Sequence, residues 1–172
     1  MLAEFDSSLS RIEHQRGDPA RSSDVVLRVP FRIWRTLMDW SATIDRFLAG
    51  WSHDLPTLMT LFSDDVAYRD EPLKAQMNGK DELKDFASSF FSAFPDVEFA
   101  ANSPAIQSAD RAAVVWRATG THDGKLLDVD PSGKTIDVAG VSVMEFKDGK
   151  IVRNVDYWDL ATLLRQIGQL PG

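Results

Sequence analysis

The sequence predicts a single α+β domain in which N-terminal helices pack against one side of a curved, cone-shaped antiparallel sheet. Helical spacing of apolar residues dominates positions 31–94, and long strand-like segments dominate positions 97–157. A length of 172 residues with 44% apolar positions suits one domain with a well-filled core. We therefore assign the domain to residues 30–172. Residues 1–29 are rich in serine and arginine and are interpreted as a flexible extension, with Val25 to Val29 as a candidate strand.

The first half of the domain is expected to hold three helices and one strand. Apolar residues recur at helical spacing in three segments, at about residues 31–52, 55–62 and 79–94. Asp54 is placed to cap the second helix, and Ser63 to Asp65 are expected to end it. Pro95 stops the third helix because proline cannot continue it. The stretch from Val66 to Asp70 has the pattern of a strand.

The second half is expected to form a meander of antiparallel strands. The candidate strands are Val97–Ser108, Arg111–Thr121, Thr135–Phe146 and Lys150–Tyr157. Ala109-Asp110 and Lys147-Asp148-Gly149 supply turn signals, and Asp-Gly suits a turn that needs positive φ. A helix from Asp159 to Ile167 closes the chain, where Gly168 can cap it.

Charge and composition exclude several classes of function. The net charge of −7 would repel phosphate backbones, so nucleic acid is not an expected partner. The chain has no cysteine, which removes disulfides and thiolate nucleophiles, and no apolar run long enough to cross a membrane. We therefore expect a cytoplasmic protein. The three histidines, His14, His53 and His122, show no metal-ligand spacing, so we expect no metal.

The sequence lacks the motifs of the common nucleophilic and nucleotide-binding enzymes. It contains no G-x-S-x-G, no P-loop and no G-x-G-x-x-G. The segment from Asp128 to Gly133 resembles the start of a calcium loop, but Ala139 stands where the bidentate Glu would be needed, so a hairpin connection is favoured. Any catalysis is therefore expected to use acids and bases, without a cofactor.

Two carboxylates and one imidazole are the candidate catalytic groups. Asp156 shares a strand face with Trp158, which would place its carboxylate against an apolar wall and raise its pKa. Asp156 could instead cap the last helix, although Asp159 suits that role better. Asp70 ends a strand face that also carries Val66 and Tyr68, and a turn role ahead of Glu71 and Pro72 is equally compatible with its position.

The histidine candidate lies at the end of another strand face. His122 follows Trp116, Ala118 and Gly120 on one side of its strand, which would bring the imidazole beside an indole near the rim of a pocket. A structural hydrogen-bonding role fits the same position. The remaining candidate pocket residues, expected to bind substrate, are Tyr68, Trp116, Ser142, Tyr157 and Trp158.

Five ordered segments resemble one family. They are Leu58 to Val66 (LMTLFSDDV), Asn78 to Leu83 (NGKDEL), Ala118 to His122 (ATGTH), Pro131 to Gly133 (PSG) and Asp148 to Leu160 (DGKIVRNVDYWDL). Their order and spacing resemble the SnoaL-like polyketide cyclases of the nuclear transport factor 2-like superfamily, over roughly three quarters of the chain. The resemblance implies a cystatin-like roll, Asp156 as the acid/base aspartate, His122 as the family's Gly-x-His histidine and Asp70 at the place of the ketosteroid isomerase base.

The resemblance also implies a reaction class and leaves alternatives. It implies an acid/base enzyme that cyclises or isomerises a small hydrophobic carbonyl compound. Ser142 departs from the pattern, since it stands where such cyclases can carry a histidine. Asp128 and Asp130 depart too, since they replace glycine and an apolar residue. An epoxide hydrolase is disfavoured. That branch needs an Arg and an Asp at the positions that Asp123 and Lys125 hold here, so the charge is reversed at both positions.

A non-catalytic role is the alternative from a different class. Domains of this fold also serve as ligand-binding modules or dimerise through the open sheet face. We expect a homodimer on this ground. Two carboxylates held in one apolar cavity would favour an enzyme over a binding module.

Overall fold

The computed structural model describes residues 38–171, in which a few short helices and strands precede a long antiparallel meander. The helices are α1 (Ser41–Trp51), α2 (Leu55–Leu61), α3 (Lys80–Ala93) and α4 (Leu160–Gln166). The strands are β1 (Phe62–Asp70), β2 (Ala75–Asn78), β3 (Glu98–Ala101), β4 (Ile106–Gln107), β5 (Arg111–Thr121), β6 (Thr135–Lys147) and β7 (Lys150–Trp158). The predicted α+β class is confirmed. The extension at 1–29, with its candidate strand, lies outside the described residues.

One curved, open sheet carries the fold. Its strand order is β2-β1-β7-β6-β5-β3, and β4 pairs with β5. The predicted meander is present, because β5, β6 and β7 pair antiparallel in sequence order. The turn between β6 and β7 uses positive φ at Asp148 and Gly149, as the Asp-Gly signal predicts. Strand β1, in contrast, joins β7 in parallel, which the sequence did not indicate.

Helix ends follow the predicted capping chemistry. The Asp54 carboxylate accepts the backbone N–H of Thr57 at the start of α2, and Asp159 does the same for Thr162 at the start of α4. Gly79 precedes α3, and Pro95 follows its last turn. Asp159 is therefore the cap of α4, and Asp156 is free for another role.

Several predicted boundaries are wrong. Residues 38–40 are not helical, so α1 begins at Ser41 and the part of the prediction before residue 38 lies outside the described residues. Strand β1 begins at Phe62, which pairs with Ile151, so residues 63–65 belong to a strand. The expected strand at 97–108 is split into β3 and β4, with Pro104 between them, because proline has no N–H for the ladder.

The inner face of the sheet packs against the helices and forms the core. Fully buried side chains come from α2, β1, α3 and β7, among them Leu58, Tyr68, Leu83 and Ile151. None of the helices in residues 38–171 is long and apolar enough to span a membrane. The outer face of the central strands also carries apolar side chains, with Val115, Val143 and Tyr157 between 38% and 48% exposed.

The outer face generates a prediction about self-association. Register places Val115 and Tyr157 in a row with Val141, and Val143 in the next row with Val155. If two copies pack through these rows, Val143→Lys should convert a dimer to a monomer, because a lysine would be buried unpaired. Sedimentation velocity measures this. Ser89→Lys on the exposed face of α3 is the control, and equal sedimentation of both variants would contradict the prediction.

Candidate active site

A cavity lies between the inner face of the sheet and helices α1, α3 and α4. Its wall is mostly aromatic, and the contributing rings are Phe47, Trp51, Phe86, Phe90, Phe94, Phe99, Trp116 and Trp158. Six aliphatic side chains complete the apolar wall, and the polar groups are Asp70, Ser142 and Asp156. No Lys, Arg or His is among the described residues of this wall. The cavity therefore combines apolar walls with acidic groups and no balancing cation.

Strand register brings the polar groups together. Asp70 on β1 stands opposite Asp156 on β7, and Asp156 stands opposite Ser142 on β6. These three residues form one row across the inner face, because side chains on paired strands at the same register point to the same side. Two carboxyl groups, the condition under which the sequence favours an enzyme over a binding module, thus lie side by side in one largely apolar cavity.

The Asp156 carboxyl group is buried and accepts three hydrogen bonds. Ser142 Oγ donates to Oδ1 over 2.6 Å, Asn154 Nδ2 donates to Oδ1 over 2.7 Å, and the Tyr68 hydroxyl donates to Oδ2. The pKa of Asp156 is raised to about 6. Burial is the largest cause of this rise and the nearby Asp70 adds to it, whereas the three donors lower the pKa. Asp156 can therefore exchange a proton near neutral pH.

Asp70 is held in a different way. Its Oδ2 accepts from Trp158 Nε1 over 2.8 Å, and its Oδ1 accepts from the Leu73 backbone N–H over 2.9 Å. Burial raises the pKa of Asp70, and these two hydrogen bonds partly oppose that rise. The contact with Leu73 belongs to the turn after β1, so Asp70 serves the turn and also lines the cavity.

Ser142 connects Asp156 to an indole. Trp116 Nε1 donates to Ser142 Oγ over 2.9 Å, and both side chains line the cavity. Trp158 lines it as well, on the same strand face as Asp156. Three of the five predicted substrate-binding residues therefore lie in the cavity wall.

Tyr68 and Asn154 lie behind the acid. Tyr68 is fully buried and is not among the residues of the cavity wall. It therefore contacts Asp156 through its hydroxyl hydrogen bond and does not face the cavity. Asn154, also fully buried, was missed by the sequence analysis. Its alternation with Asp156 and Trp158 on β7 was the signal that could have found it.

The aromatic rings of α1 and α3 were also not predicted as cavity residues. The sequence predicts helices in this part of the chain from apolar residues at helical spacing at about residues 31–52 and 79–94. Helical spacing indicates that a side chain is turned inward, but it does not separate a packed core from a cavity wall.

His122 lies elsewhere than expected. The ring is fully buried beside that of Phe94, with centroids 5.5 Å apart, and it is outside the described cavity wall. Its Nδ1 lies 3.1 Å from Ser132 Oγ, and its carbonyl accepts the N–H groups of Ser132 and Gly133. Burial lowers the pKa of His122, which favours the neutral ring. His122 therefore stabilises the connection between β5 and β6 through its ring and its carbonyl group. It does not lie at the pocket rim beside Trp116.

Tyr157 is a second correction. Its side chain is 48% exposed on the outer face of the sheet, because neighbours along a strand point to opposite sides. Placing Asp156 and Trp158 inside therefore excludes Tyr157 from the cavity. Asp123, Lys125, Asp128 and Asp130 are exposed in the β5–β6 connection and lie outside the cavity wall.

The curved, open sheet with its four described helices has the nuclear transport factor 2-like fold. A family model described as SnoaL-like polyketide cyclase matches residues 41–167. The chain therefore belongs to the SnoaL-like polyketide cyclase family. Family and fold support a polyketide cyclase or isomerase-type role in general terms. No curated protein matches the sequence.

Solved structures show the same fold. AclR of Streptomyces galilaeus, a proposed hydroxylase, is 28% identical with a TM-score of 0.67 and matches 76% of this chain and 82% of its own. A proposed SnoaL-like polyketide cyclase of Jannaschia sp. CCS1 is 22% identical with a TM-score of 0.68, covering 76% and 92% of the two chains. IdmH of Streptomyces antibioticus, a proposed polyketide cyclase, is 22% identical with a TM-score of 0.66, covering 76% and 99%.

The buried acid generates a prediction about stability and pH. The folded-state pKa of Asp156, about 6, lies above its ordinary value of 3.8. The folded state holds the proton of this carboxyl group more tightly than the unfolded state does. The contribution of Asp156 to the free energy of unfolding is therefore fully present below about pH 4 and is lost as the pH rises through about 6. Asp156→Asn should be more stable than the parent protein at pH 7.5 by on the order of 1–3 kcal/mol, and lose this advantage near pH 4.

Urea unfolding at both pH values measures the effect. Asp137→Asn is the matched control, because Asp137 is exposed and its hydrogen bonds with Arg117 lower the pKa of its carboxyl. That control should lose stability at pH 7.5, the opposite sign. A difference between parent and Asp156→Asn that does not change with pH would refute the assignment of a buried, destabilised carboxylate.

Proposed function

We propose that this protein is an acid/base enzyme that removes a proton next to a carbonyl group in a small, uncharged, hydrophobic substrate. The observation that supports it is the Asp156 carboxyl group, which faces an apolar cavity from a three-donor cradle and whose pKa of about 6 suits proton transfer near neutral pH. Family membership adds the intramolecular aldol reaction of a cyclase as the specific form of the chemistry.

The steps balance with one carboxyl group. Ionised Asp156 takes the α-proton and leaves an enolate. The enolate carbon attacks the acceptor carbonyl of the same molecule, forming the carbon–carbon bond and an alkoxide. Protonated Asp156 returns its proton to that alkoxide, which regenerates the carboxylate. An isomerase would use the same first step and return the proton to a different carbon.

Asp70 is proposed as the second acid of the site. It is adjacent to Asp156 in the row, and burial raises its pKa, so its protonated form can donate a hydrogen bond to a substrate oxygen. Two carboxyl groups side by side resist double ionisation, which favours one charged and one neutral member. This pairing gives the cavity a base and an oxygen-stabilising donor together.

The cavity limits the substrate. An anionic substrate would meet two acids and no cation, so a ketone or an ester is favoured over a free acid. The cavity is small, with a volume of about 60 Å³, enough for a few water molecules. A cavity that binds one benzene ring is larger, at about 150 Å³, so any ring compound has to displace aromatic side chains of the wall. One- or two-ring compounds require less displacement than large polycycles.

Exchange of α-protons in D₂O tests the proposal without knowledge of the true substrate. A panel of one- and two-ring diketones and keto esters is incubated with protein, and loss of the α-proton signal is followed by NMR. Asp156→Asn should slow the exchange by roughly 10²–10⁴-fold, because it removes the base. Asp137→Asn should exchange like the parent protein. Binding of panel members that is equal in parent and Asp156→Asn, with no exchange in either, would favour a non-catalytic binding module.

The pH profile of exchange is a separate prediction. Proton abstraction needs ionised Asp156, so the rate should fall as the pH drops through about 6 and level off above it. The measurement is the initial exchange rate on one panel compound from pH 4.5 to 8. A rate that stays constant across pH 5–7 would contradict Asp156 as the base.

A further inference from the structure

Gly140 lies between two indoles on the inner face of β6. It is opposite Trp116 on β5 and opposite Trp158 on β7. A Cβ at this position would lie 2.4 Å from Cη2 of Trp116 and 2.8 Å from Cβ of Trp158, closer than real Cβ contacts. Only glycine therefore allows both tryptophans to lie as they do against the sheet.

Each of the two indoles directs its N–H toward one acid. Trp158 Nε1 donates directly to Asp70. Trp116 Nε1 donates to Ser142 Oγ, and Ser142 donates in turn to Asp156. Since a serine hydroxyl carries a single proton, occupation of its oxygen by the Trp116 N–H leaves that proton for Asp156. The two hydrogen-bond paths start on either side of the same glycine.

We propose that Gly140, Trp116 and Trp158 form one positioning unit that sets the orientation and protonation of both Asp156 and Asp70. The catalytic value of this unit rests on the proposed function, since the two acids are the groups that transfer protons there. Trp116 acts through Ser142, and Gly140 acts through both tryptophans, so these are positioning residues.

Other groups also surround the two acids. Asp156 also accepts from Tyr68 and Asn154, while Asp70 accepts from the Leu73 backbone and has Glu71 nearby. The described cavity residues of α1, α3 and α4 are uncharged. The two indole N–H groups are thus contributions that a Trp→Phe substitution removes while an aromatic ring stays in place.

Carboxyl carbon NMR titration of the full chain measures the effect directly. Trp116→Phe should raise the pKa of Asp156, because a donor that favours the ionised form is weakened, and Trp158→Phe should raise the pKa of Asp70 for the same reason. Gly140→Ala should move both titrations together. In the α-proton exchange assay, each Trp→Phe variant should lose roughly tenfold in kcat with little change in KM.

Trp40→Phe is the matched control. Trp40 is buried and stacked on Phe146 at 3.9 Å, and its Nε1 has no partner among the described residues. It should leave both carboxyl titrations unchanged. If Trp116→Phe and Trp158→Phe fold and titrate like the Trp40 variant, the positioning unit is overturned. Should Gly140→Ala fail to fold, the two Trp→Phe variants decide the matter alone.

Carboxyl titration and α-proton exchange separate the positioning role of the indoles from the catalytic role of the acids. Carboxyl titrations that move as expected support the positioning unit, even if the parent protein exchanges no α-proton in any compound. That second result would count against the enzyme, not against the hydrogen-bond paths. Unmoved titrations in an exchanging enzyme would overturn the unit and leave the proposed function in place.

Discussion

The burial of the Asp156 carboxyl group against an aromatic wall is the constraint on which the rest of the site depends. Loss of water disfavours the charged form, and without compensation the group would simply stay protonated. Ser142, Asn154 and Tyr68 supply that compensation from three strands. Desolvation outweighs the hydrogen bonds, which offset only part of it, and the pKa of the carboxyl group is raised to about 6. The sheet is what holds the three donors in register.

The parallel pairing of β1 with β7 brings a second acid, Asp70, next to Asp156. Asp70 and Asp156 are 86 positions apart in sequence and stand opposite each other because β1 lies between its sequence neighbour β2 and the distant strand β7. Each acid then receives donors of its own, so neither depends on the other for hydrogen bonding. The shared Gly140 position links them through the two indoles.

Much of the fold could be predicted because its signals are local. Asp54 and Asp159 cap helices, Asp148 and Gly149 form a tight turn, and the strands of the meander alternate along their length. Pro104 lies where the predicted strand at 97–108 is interrupted, and it is a local signal for that break. Long-range pairing was not predictable in this way, since nothing in β1 alone indicates a parallel partner.

The site shows the same division between local and long-range information. Alternation placed Asp156 and Trp158 inside, and the same rule, applied one residue further, excludes Tyr157. His122 needed information from Ser132 and Phe94, which only the folded chain brings to it. Asn154 and Gly140 carry weak signals in sequence, because an amide on a strand or a glycine in a sheet has many structural explanations.

The acidic and hydroxyl groups of the cavity wall come from the sheet, and the helices supply aromatic and aliphatic side chains. Every polar group that faces the cavity comes from the sheet or its strand ends, whereas α1, α3 and α4 contribute only apolar side chains. Helix positions can therefore exchange one apolar side chain for another of different size without replacing an acid or a donor, and among them Trp51 and Phe86 also pack against the donor Tyr68. Substitutions on the helices can therefore change which molecules the cavity accepts, while the acids on the strands stay the same. A mutant library aimed at new substrates should vary the helix residues that face the cavity.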